Sequence, residues 1–273
     1  MNNLLEIKNL KKTYNTKEGE IEAIQNFNLN IEDGLIISLV GPSGCGKSTI
    51  LSIISDLDDD FDGEIIKNNN LKIAYMLQSD ALFPWLTIYE NCILGLKIQN
   101  NLEKENIEYV NSLLKFYNLN DFRDKYPKSL SGGMKQRVAL IRTLAMKPDL
   151  LLLDEPFCAL DQQSRLIISD DLYKIIKKEN KCAILVTHNI EEAITFSDKV
   201  VILSKRPAII KKIIDINIAN KESIYERRKD KNFHKYFDLI WKELDIKTYS
   251  YNQLDDLQYK QLYKKIVRLN LLL

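Results

Sequence analysis

The feature that most constrains the fold of this chain is a short apolar run that leads directly into a glycine-rich segment. Residues 35–40, LIISLV, are followed at once by GPSGCGKST at residues 41–49. A continuous apolar run of strand length is typical of a strand buried on both faces, as in a parallel sheet covered by helices. Residues 50–55 resemble the start of a helix, so the pattern predicts a strand, a tight loop and a helix in succession.

The glycine-rich segment matches G-x-x-x-x-G-K-[ST], a phosphate-binding pattern. Glycines let successive backbone N–H groups turn toward a polyphosphate, and a helix that begins near Lys47 directs its positive end at the same anion. We expect Lys47 to reach the β- and γ-phosphates of a nucleotide and the Ser48 hydroxyl to bind Mg²⁺. The other residues of this predicted cradle are Gly41, Pro42, Ser43, Gly44, Cys45, Gly46 and Thr49.

Other segments predict the rest of a layered fold. Residues 150–153 and 183–187 are also continuous apolar runs, each preceded by a helix-like stretch, which favours a three-layer α/β core with parallel strands. Residues 4–10 and 21–31 alternate apolar and polar side chains, as in a half-covered sheet. Strand-like text returns at residues 200–203 and 209–216, joined by a predicted turn at Arg206-Pro207.

Two regions are helical by pattern. Between Tyr89 and Tyr126 apolar residues recur at mostly helical intervals among many polar ones, which predicts a small helical insertion. From Asn232 onward, residues 233–244 and 254–269 are consistent with two amphipathic helices. The apolar stripe of the second helix could pack on the core, pair across a dimer or dock a regulator, and packing on the core is the default expectation.

Two adjacent carboxylates follow the apolar run at residues 150–153. Asp154 ends that strand, at the carboxyl edge of a parallel sheet where ligands of such folds bind, so we expect it to hold Mg²⁺. Glu155 would project at the mouth of the phosphate site and could polarise an attacking water. The alternative interpretation of Asp-Glu-Pro is a capped turn after a strand.

The segment LSGGMKQR at residues 130–137 ends seventeen residues before Asp154. It resembles the signature sequence of ATP-binding cassette (ABC) ATPases. The resemblance implies that Ser131, Gly132 and Gly133, at the start of a helix, contact the γ-phosphate of an ATP bound to the opposite subunit. Two ATP molecules would then be sandwiched in a head-to-tail pair, and hydrolysis would need both chains.

The resemblance assigns roles to four further residues. Tyr14 matches the aromatic residue that stacks on adenine, although a partly buried strand aromatic is the competing interpretation. Gln78 matches the glutamine that approaches Mg²⁺ and the attacking water, and His188 matches the switch histidine that hydrogen-bonds the γ-phosphate. Asp161 matches the aspartate of the loop at the dimer interface.

The resemblance covers roughly residues 4–216 and implies an architecture. We expect an α/β P-loop NTPase core with a parallel sheet, an antiparallel β edge subdomain and a small helical subdomain. The predicted domain spans residues 1–230, with the helical subdomain at about 88–146, and residues 231–273 form a C-terminal helical extension. Residues 56–60, DLDDD, depart from the family pattern, but they are expected to lie away from the phosphates.

The amino-acid composition limits which binding partners and which cellular compartment are expected. The 39 basic and 38 acidic residues leave a formal net charge of +1, so there is no basic excess of the kind that nucleic-acid binding requires. Cys45, Cys92, Cys158 and Cys182 show no C-x-x-C spacing, which favours a reducing compartment. We see no signal peptide and no apolar run near the ~18 residues of a membrane span, so a soluble protein is expected.

The segment FPWLTIYEN at residues 83–91 is similar to ATPase subunits of the nitrate, sulfonate and taurine importer group. Phe83 and Trp85 could each be core residues, but together they are typical of a groove that receives a permease helix. The resemblance implies three partners: a second copy or a paralogous ATPase, transmembrane permease subunits, and indirectly a solute-binding protein. It also implies a peripheral position on the cytoplasmic face of the membrane. Two alternatives stay open: a soluble ABC ATPase of the cluster-assembly type, and a nucleotide-binding switch without a transport partner.

Overall fold

The structure is a computed structural model that describes residues 3–17, 19–219 and 222–244. Strands and helices alternate along most of the chain. The strands are β1 (Asn3–Thr16), β2 (Gly19–Glu32), β3 (Ile36–Val40), β4 (Asp62–Lys67), β5 (Ile73–Met76), β6 (Leu150–Asp154), β7 (Cys182–Val186), β8 (Lys199–Leu203) and β9 (Ile210–Asp215). The helices are α1 (Lys47–Ile54), α2 (Ile88–Ile98), α3 (Lys104–Phe116), α4 (Gly132–Ala145), α5 (Gln162–Lys178), α6 (Ile190–Phe196), α7 (Ile224–Arg228) and α8 (Phe233–Glu243).

The larger sheet has six strands in the order β5-β6-β7-β3-β8-β9. Neighbouring strands are parallel except at the edge, where β9 runs antiparallel to β8. All residues of β3, β6 and β7 are buried, which confirms the prediction from the three apolar runs. Because these strands are parallel, the loops that follow them meet at one edge of the sheet.

The smaller sheet is antiparallel and has three strands in the order β2-β1-β4. Its strands β1 and β2 are 14 residues each and are longer than their alternating segments predicted. Their inward residues, including Leu10, Ile24 and Phe27, pack with α1 and the larger sheet in one core cluster. The smaller sheet therefore covers the side of the core on which the glycine-rich loop lies.

Helices α2 and α3 lie in the predicted helical insertion and pack with α4, while the bounds of about 88–146 for a helical subdomain stay a prediction. Thr87 begins α2 with a capping box, in which its hydroxyl accepts from the Glu90 N–H at 3.2 Å and the Glu90 carboxylate accepts from the Thr87 N–H at 2.7 Å. Cys92, Val110 and Ile141 are fully buried where the three helices meet. This cluster continues onto the face of the larger sheet, which fixes α4 relative to β6.

Helix α8 packs against the antiparallel edge of the larger sheet. Phe233 and Ile240 are buried with Ile194, Val200 and Ile214. The helix predicted at residues 233–244 is thus present, whereas the one predicted at 254–269 lies outside the described residues. The division of the chain near residue 230 stays a prediction. No helix in the described ranges combines the length and the apolar character that crossing a bilayer requires.

Candidate active site

A cavity of about 400 Å³ opens at the carboxyl edge of the larger sheet, next to the end of the smaller one. It brings together predicted site residues from widely separated parts of the sequence. Its lining consists of Tyr14, Thr16, Ile21, Ala23, Ser43, Gly44, Gly46, Lys47, Ser48, Thr49, Gln78, Asp154, Glu155, Val186 and Arg206.

The glycine-rich loop forms the floor of this cavity between β3 and α1. Gly44 has φ 70° and Gly46 has φ 119°, which are conformations that other residues rarely adopt. A Cβ on Gly46 would also lie 3.0 Å from the Ala23 carbonyl oxygen. Since Gly46 precedes α1 and carries no side chain to cap it, the N–H groups of the first turn remain available to an anion.

The buried Lys47 side chain lies beneath this loop. Its Nζ donates to the carbonyl oxygens of Gly41 at 2.8 Å and Pro42 at 2.9 Å. Gly41, Pro42 and the buried Cys45 form the base of the loop rather than the cavity lining. The predicted cradle is therefore a compact loop that places one cation and several amide donors beside the same space.

Asp154 lines the same cavity beside Ser48 and is 3% exposed. Its Oδ2 accepts from the Tyr75 hydroxyl at 3.3 Å, and the Ser48 hydroxyl is a second partner. Burial raises the pKa of the Asp154 carboxyl in spite of these contacts and of nearby Lys47, because the charged form loses its hydration. A carboxylate and a hydroxyl side by side, both oxygen donors, fit a Mg²⁺ ion, which would offset this loss of hydration.

Glu155 lines the cavity, whereas His188 is not among the described residues that line it but contacts the Glu155 carboxylate. His188 Nδ1 lies 3.2 Å from Glu155 Oε1, although His188 is mostly exposed. Glu155 has φ 48°, an uncommon backbone conformation for a residue with a Cβ, and its N–H donates to the Val186 carbonyl oxygen at 2.9 Å. This turn directs the Glu155 side chain into the cavity directly after the buried Asp154.

The segment that carries His188 is fixed by polar contacts of its own. The Thr187 hydroxyl donates to Glu192 Oε2 at 2.7 Å, and the Asn189 side chain caps α6 by accepting from the N–H groups of Glu191 and Glu192. Burial raises the pKa of the Glu192 carboxyl. These bonds hold the loop between β7 and α6 in place, and none of them involves the His188 side chain.

Gln78 follows β5 and lines the cavity on the side of the helical insertion. The backbone just after it is held by Arg142 on α4, whose guanidinium donates to the carbonyl oxygens of Asp80 and Ala81, each at 2.8 Å. Sequence reasoning had not assigned a role to Arg142. A movement of α4 would be transmitted to the Gln78 segment through these two bonds.

Tyr14 lies on β1 at the other end of the cavity and is 38% exposed. Its hydroxyl is 3.3 Å from Asp58 Oδ2 and 3.4 Å from Thr49 Oγ1, and Lys12 Nζ lies 4.8 Å from the centre of its ring. The ring therefore lines the cavity and is also partly buried on its strand, and its stacking on adenine stays a prediction. The local sequence does not indicate the contact between Asp58 and the Tyr14 hydroxyl, and the expectation that residues 56–60 lie away from the phosphates stays a prediction.

We predict that Tyr14→Ala lowers the affinity for ATP about tenfold, because stacking on a base contributes roughly 1–3 kcal/mol. Tyr14→Phe keeps the ring and removes only its long hydroxyl contacts, so it should bind ATP about as well as the unmodified chain. Equilibrium titration with ATP measures both. Equal losses in the two variants would assign the effect to the hydroxyl and argue against stacking.

The signature residues form a second group, apart from this cavity. Ser131 precedes α4, and its hydroxyl accepts from the Met134 N–H at 3.3 Å. Ser131, Gly132, Gly133 and Asp161 do not belong to the described residues that line the cavity. A Cβ on Gly133 would lie 3.2 Å from the Leu160 side chain, so the start of α4 and the loop before α5 are adjacent.

Asp161 caps α5 and faces solvent. Its Oδ1 accepts from the N–H groups of Gln163 at 3.1 Å and Ser164 at 3.0 Å. Hydrogen bonds from Ser164 and Gln163 hold the pKa of the Asp161 carboxyl below its ordinary value. The start of α4 and Asp161 together form a second surface. The glycine-rich loop is not part of that surface, because it lines the cavity.

Gln136 links the two groups and had been given no role from the sequence. Its Nε2 donates to the Glu155 carbonyl oxygen at 3.2 Å, and its Oε1 accepts from the Ala159 N–H at 3.1 Å. The sequence feature that could have identified Gln136 is its position in α4, four residues before the buried Leu140. The helical period predicts an inward side chain at that position. A buried amide at such a position needs partners.

Comparison with known proteins agrees with this geometry. The family model described as "ABC transporter" matches residues 24–158. The aliphatic sulfonates import ATP-binding protein SsuB of Bacillus cereus is 38% identical over 82% of this chain and 92% of its own length. The chain belongs to the ABC transporter ATPases.

Two further ABC relatives cover most of the chain. The nitrate import ATP-binding protein NrtD of Synechocystis is 36% identical over 86% of this chain and 93% of its own length. The dimeric structure of the ATP-binding cassette MJ0796 in a post-hydrolysis state, bound to ADP and Pi, has a TM-score of 0.71. It is 35% identical and covers 78% of this chain and 99% of that one. The predicted cassette architecture is confirmed, and this ABC protein is an ATPase that uses ATP with Mg²⁺.

Proposed function

We propose that this chain is the ATP-hydrolysing subunit of an importer for a small solute of the nitrate and sulfonate group. The observation that carries the proposal is the extent of its likeness to SsuB and NrtD, each named for import and each matched over more than four-fifths of this chain. This likeness supports import more directly than the cluster-assembly alternative. A nucleotide switch without a signature sequence has no equivalent for residues 130–137.

The catalytic roles that we propose follow from the cavity. Lys47 and the N–H groups at the start of α1 would bind the β- and γ-phosphates, while Ser48, Asp154 and Gln78 would hold Mg²⁺. Mg²⁺ neutralises charge on the phosphates when it is bound. Phosphoryl transfer requires little covalent chemistry from the protein. Positioning and charge neutralisation therefore provide most of the catalysis.

We assign the water-activating role to Glu155 and the switch role to His188. Glu155 Oε1 and His188 Nδ1 are 3.2 Å apart, so the two side chains are within hydrogen-bonding distance of each other. Glu155 would polarise the attacking water while His188 hydrogen-bonds the γ-phosphate. The products are ADP and phosphate, and their release would reopen the site.

Two chains, or this chain and a paralogous ATPase, would pair head to tail. The support is the division of the site residues into two groups: one lines the nucleotide cavity, and the other, Ser131–Gly133 with Asp161, lies on a separate surface. The dimeric state of MJ0796 is a precedent for such pairing. In the pair, the signature surface of each chain would close the cavity of the other.

The permease would dock beside the helical insertion. Trp85 is 69% exposed and Phe83 is 38% exposed, and their rings meet edge to face with centroids 5.3 Å apart. Neither is a core residue, so the alternative interpretation of these aromatics is not supported. Docking would hold the ATPase on the cytoplasmic face of the membrane, and a solute-binding protein would act through the permease.

The test of this function is co-purification of the chain from the membranes of its own host. Recovery of a multi-span permease is expected, and recovery of cluster-assembly scaffolds in its place would overturn the proposal. A second expected result concerns Trp85. Trp85→Ala should reduce the recovered permease severalfold, because central aromatic residues often dominate an interface.

Two controls make the Trp85 result specific. Tyr225→Ala removes a comparably exposed aromatic ring on α7 and should leave permease recovery unchanged. ATP binding by the purified Trp85→Ala chain should also be unchanged, since Trp85 does not line the nucleotide cavity. Undiminished permease recovery with Trp85→Ala would remove this aromatic pair from the docking surface.

A further inference from the structure

The turn between β8 and β9 places a second cation at the nucleotide cavity. Among the described residues that line the cavity, the basic ones are Lys47 and Arg206. The Arg206 guanidinium donates from Nη2 at 2.7 Å and from Nε at 3.1 Å to the same atom, the carbonyl oxygen of Gly44. These residues are 162 positions apart in the chain, so the turn and the phosphate loop are joined by a long-range contact.

The turn that carries Arg206 is itself well anchored. Ser204 donates its N–H to the Ile209 carbonyl oxygen at 3.0 Å and accepts the Ile209 N–H on its hydroxyl at 2.9 Å. Ala208 donates to the Ala23 carbonyl oxygen at 2.8 Å and accepts from the Gln25 N–H at 3.1 Å. Arg206 therefore reaches the loop from a position held by both sheets.

The contact restrains one particular peptide group. In a planar trans peptide the C=O and the N–H point in opposite directions. The Gly44 carbonyl is held by Arg206, and the N–H of the same peptide, on Cys45, donates to the Pro42 carbonyl oxygen at 3.3 Å. Gly44, at φ 70°, has no Cβ to restrict rotation, so these bonds are what fix the orientation of this peptide.

We propose that Arg206 is a positioning residue for ATP binding, which acts by keeping the Gly44 carbonyl turned away from the phosphates. A carbonyl oxygen that rotated into the cavity would present partial negative charge to the triphosphate. The bond to the Arg206 guanidinium keeps this oxygen from turning toward the triphosphate, whose donors are the N–H groups at the start of α1. The proposal rests on ATP binding by the chain and not on import, so the absence of a permease does not affect its test.

The test is equilibrium binding of MgATP to the full chain. Arg206→Ala is expected to raise the Kd about five- to tenfold, in keeping with loss of a charge-assisted hydrogen bond. The kcat at saturating ATP should stay within about twofold, because bound nucleotide itself orders the loop. Arg206→Lys keeps a charged donor and should fall between the unmodified chain and Arg206→Ala.

The matched control is Lys205→Ala, which removes the same charge from the neighbouring exposed residue and should bind MgATP normally. Labelling with ¹⁵N-cysteine reports on four cysteines, and the Cys45 amide signal of the free chain should shift in Arg206→Ala but not in Lys205→Ala. The proposal is overturned by an unchanged Kd in Arg206→Ala, by an equal loss in Lys205→Ala, or by Arg206→Lys as weak as Arg206→Ala. An unmoved Cys45 signal would also overturn it.

Discussion

Glu155→Gln is expected to bind ATP normally and to lose most of its turnover. The amide has the size of the carboxylate but cannot accept a proton, and a positioned general base contributes roughly 10²- to 10⁴-fold to a rate. The surrounding geometry should survive the change. The backbone of Glu155 is held by its N–H bond to Val186 and by the Gln136 bond to its carbonyl, and neither involves its side chain.

Phosphate release under saturating ATP measures the turnover, and equilibrium titration measures the binding. Glu226→Gln is a suitable control, because it neutralises a carboxylate paired with Lys229 on the surface, 2.9 Å away. It should leave both quantities unchanged. Turnover of Glu155→Gln near that of the unmodified chain would exclude Glu155 as the base, and the neighbouring Asp154 would then have to be reconsidered.

Ser131→Arg is expected to bind ATP in its own cavity yet lower turnover at least about 100-fold, in line with the loss of donors that stabilise a transition state. A bulky cation at the start of α4 would block the surface that closes the partner's site. Ser129→Arg places the same charge two residues earlier on an exposed side chain and should be nearly neutral. Normal turnover by Ser131→Arg would remove the signature surface from the reaction.

Mixing variants tests whether the two surfaces come from different chains. Lys47→Ala removes the phosphate-binding cation, and Ser131→Arg removes the closing surface. In a head-to-tail mixed pair one site carries both defects and the other carries neither. If subunits exchange freely, half of the pairs in an equal mixture are mixed, and each mixed pair has one intact site. About a quarter of all sites should then be intact, and turnover should recover to about a quarter of that of the unmodified protein.

That recovery depends on pairing. Turnover of the mixture should rise with protein concentration and disappear on dilution. No recovery, or full-speed turnover by a strictly monomeric chain, would show that one chain completes its own site. The structure favours the paired arrangement, because Ser131 and Lys47 do not line the same cavity.

The local sequence was sufficient to predict features that depend on the backbone conformation or the burial of a few neighbouring residues. The glycine pattern at residues 41–49 predicted a loop that needs left-handed φ angles, and the structure has them at Gly44 and Gly46. Continuous apolar runs predicted the buried strands β3, β6 and β7. Ser131 and Asp161 precede helices that they cap, as short polar side chains commonly do.

The sequence was not sufficient to predict contacts between a side chain and residues that are far from it in the chain. The sequence did not indicate that Arg142 binds the backbone after Gln78, because an arginine on a helix is usually solvated. Likewise, nothing in the acidic pattern at residues 56–60 indicates that Asp58 contacts both Lys12 and Tyr14. These contacts depend on which strands and loops lie next to one another.

The sequence alone therefore determined the chemistry of this protein: the loop, the carboxylates and the signature are each contiguous segments whose residue types already specify a phosphate site. Only the tertiary structure decided which of them share a cavity and which additional residues hold them. Strand order brings β3, β6 and β7 side by side and leaves the start of α4 on another surface. The reason is that hydrophobic pattern and backbone preference act over a few residues, whereas the partner of a long polar side chain is set by packing of the whole chain.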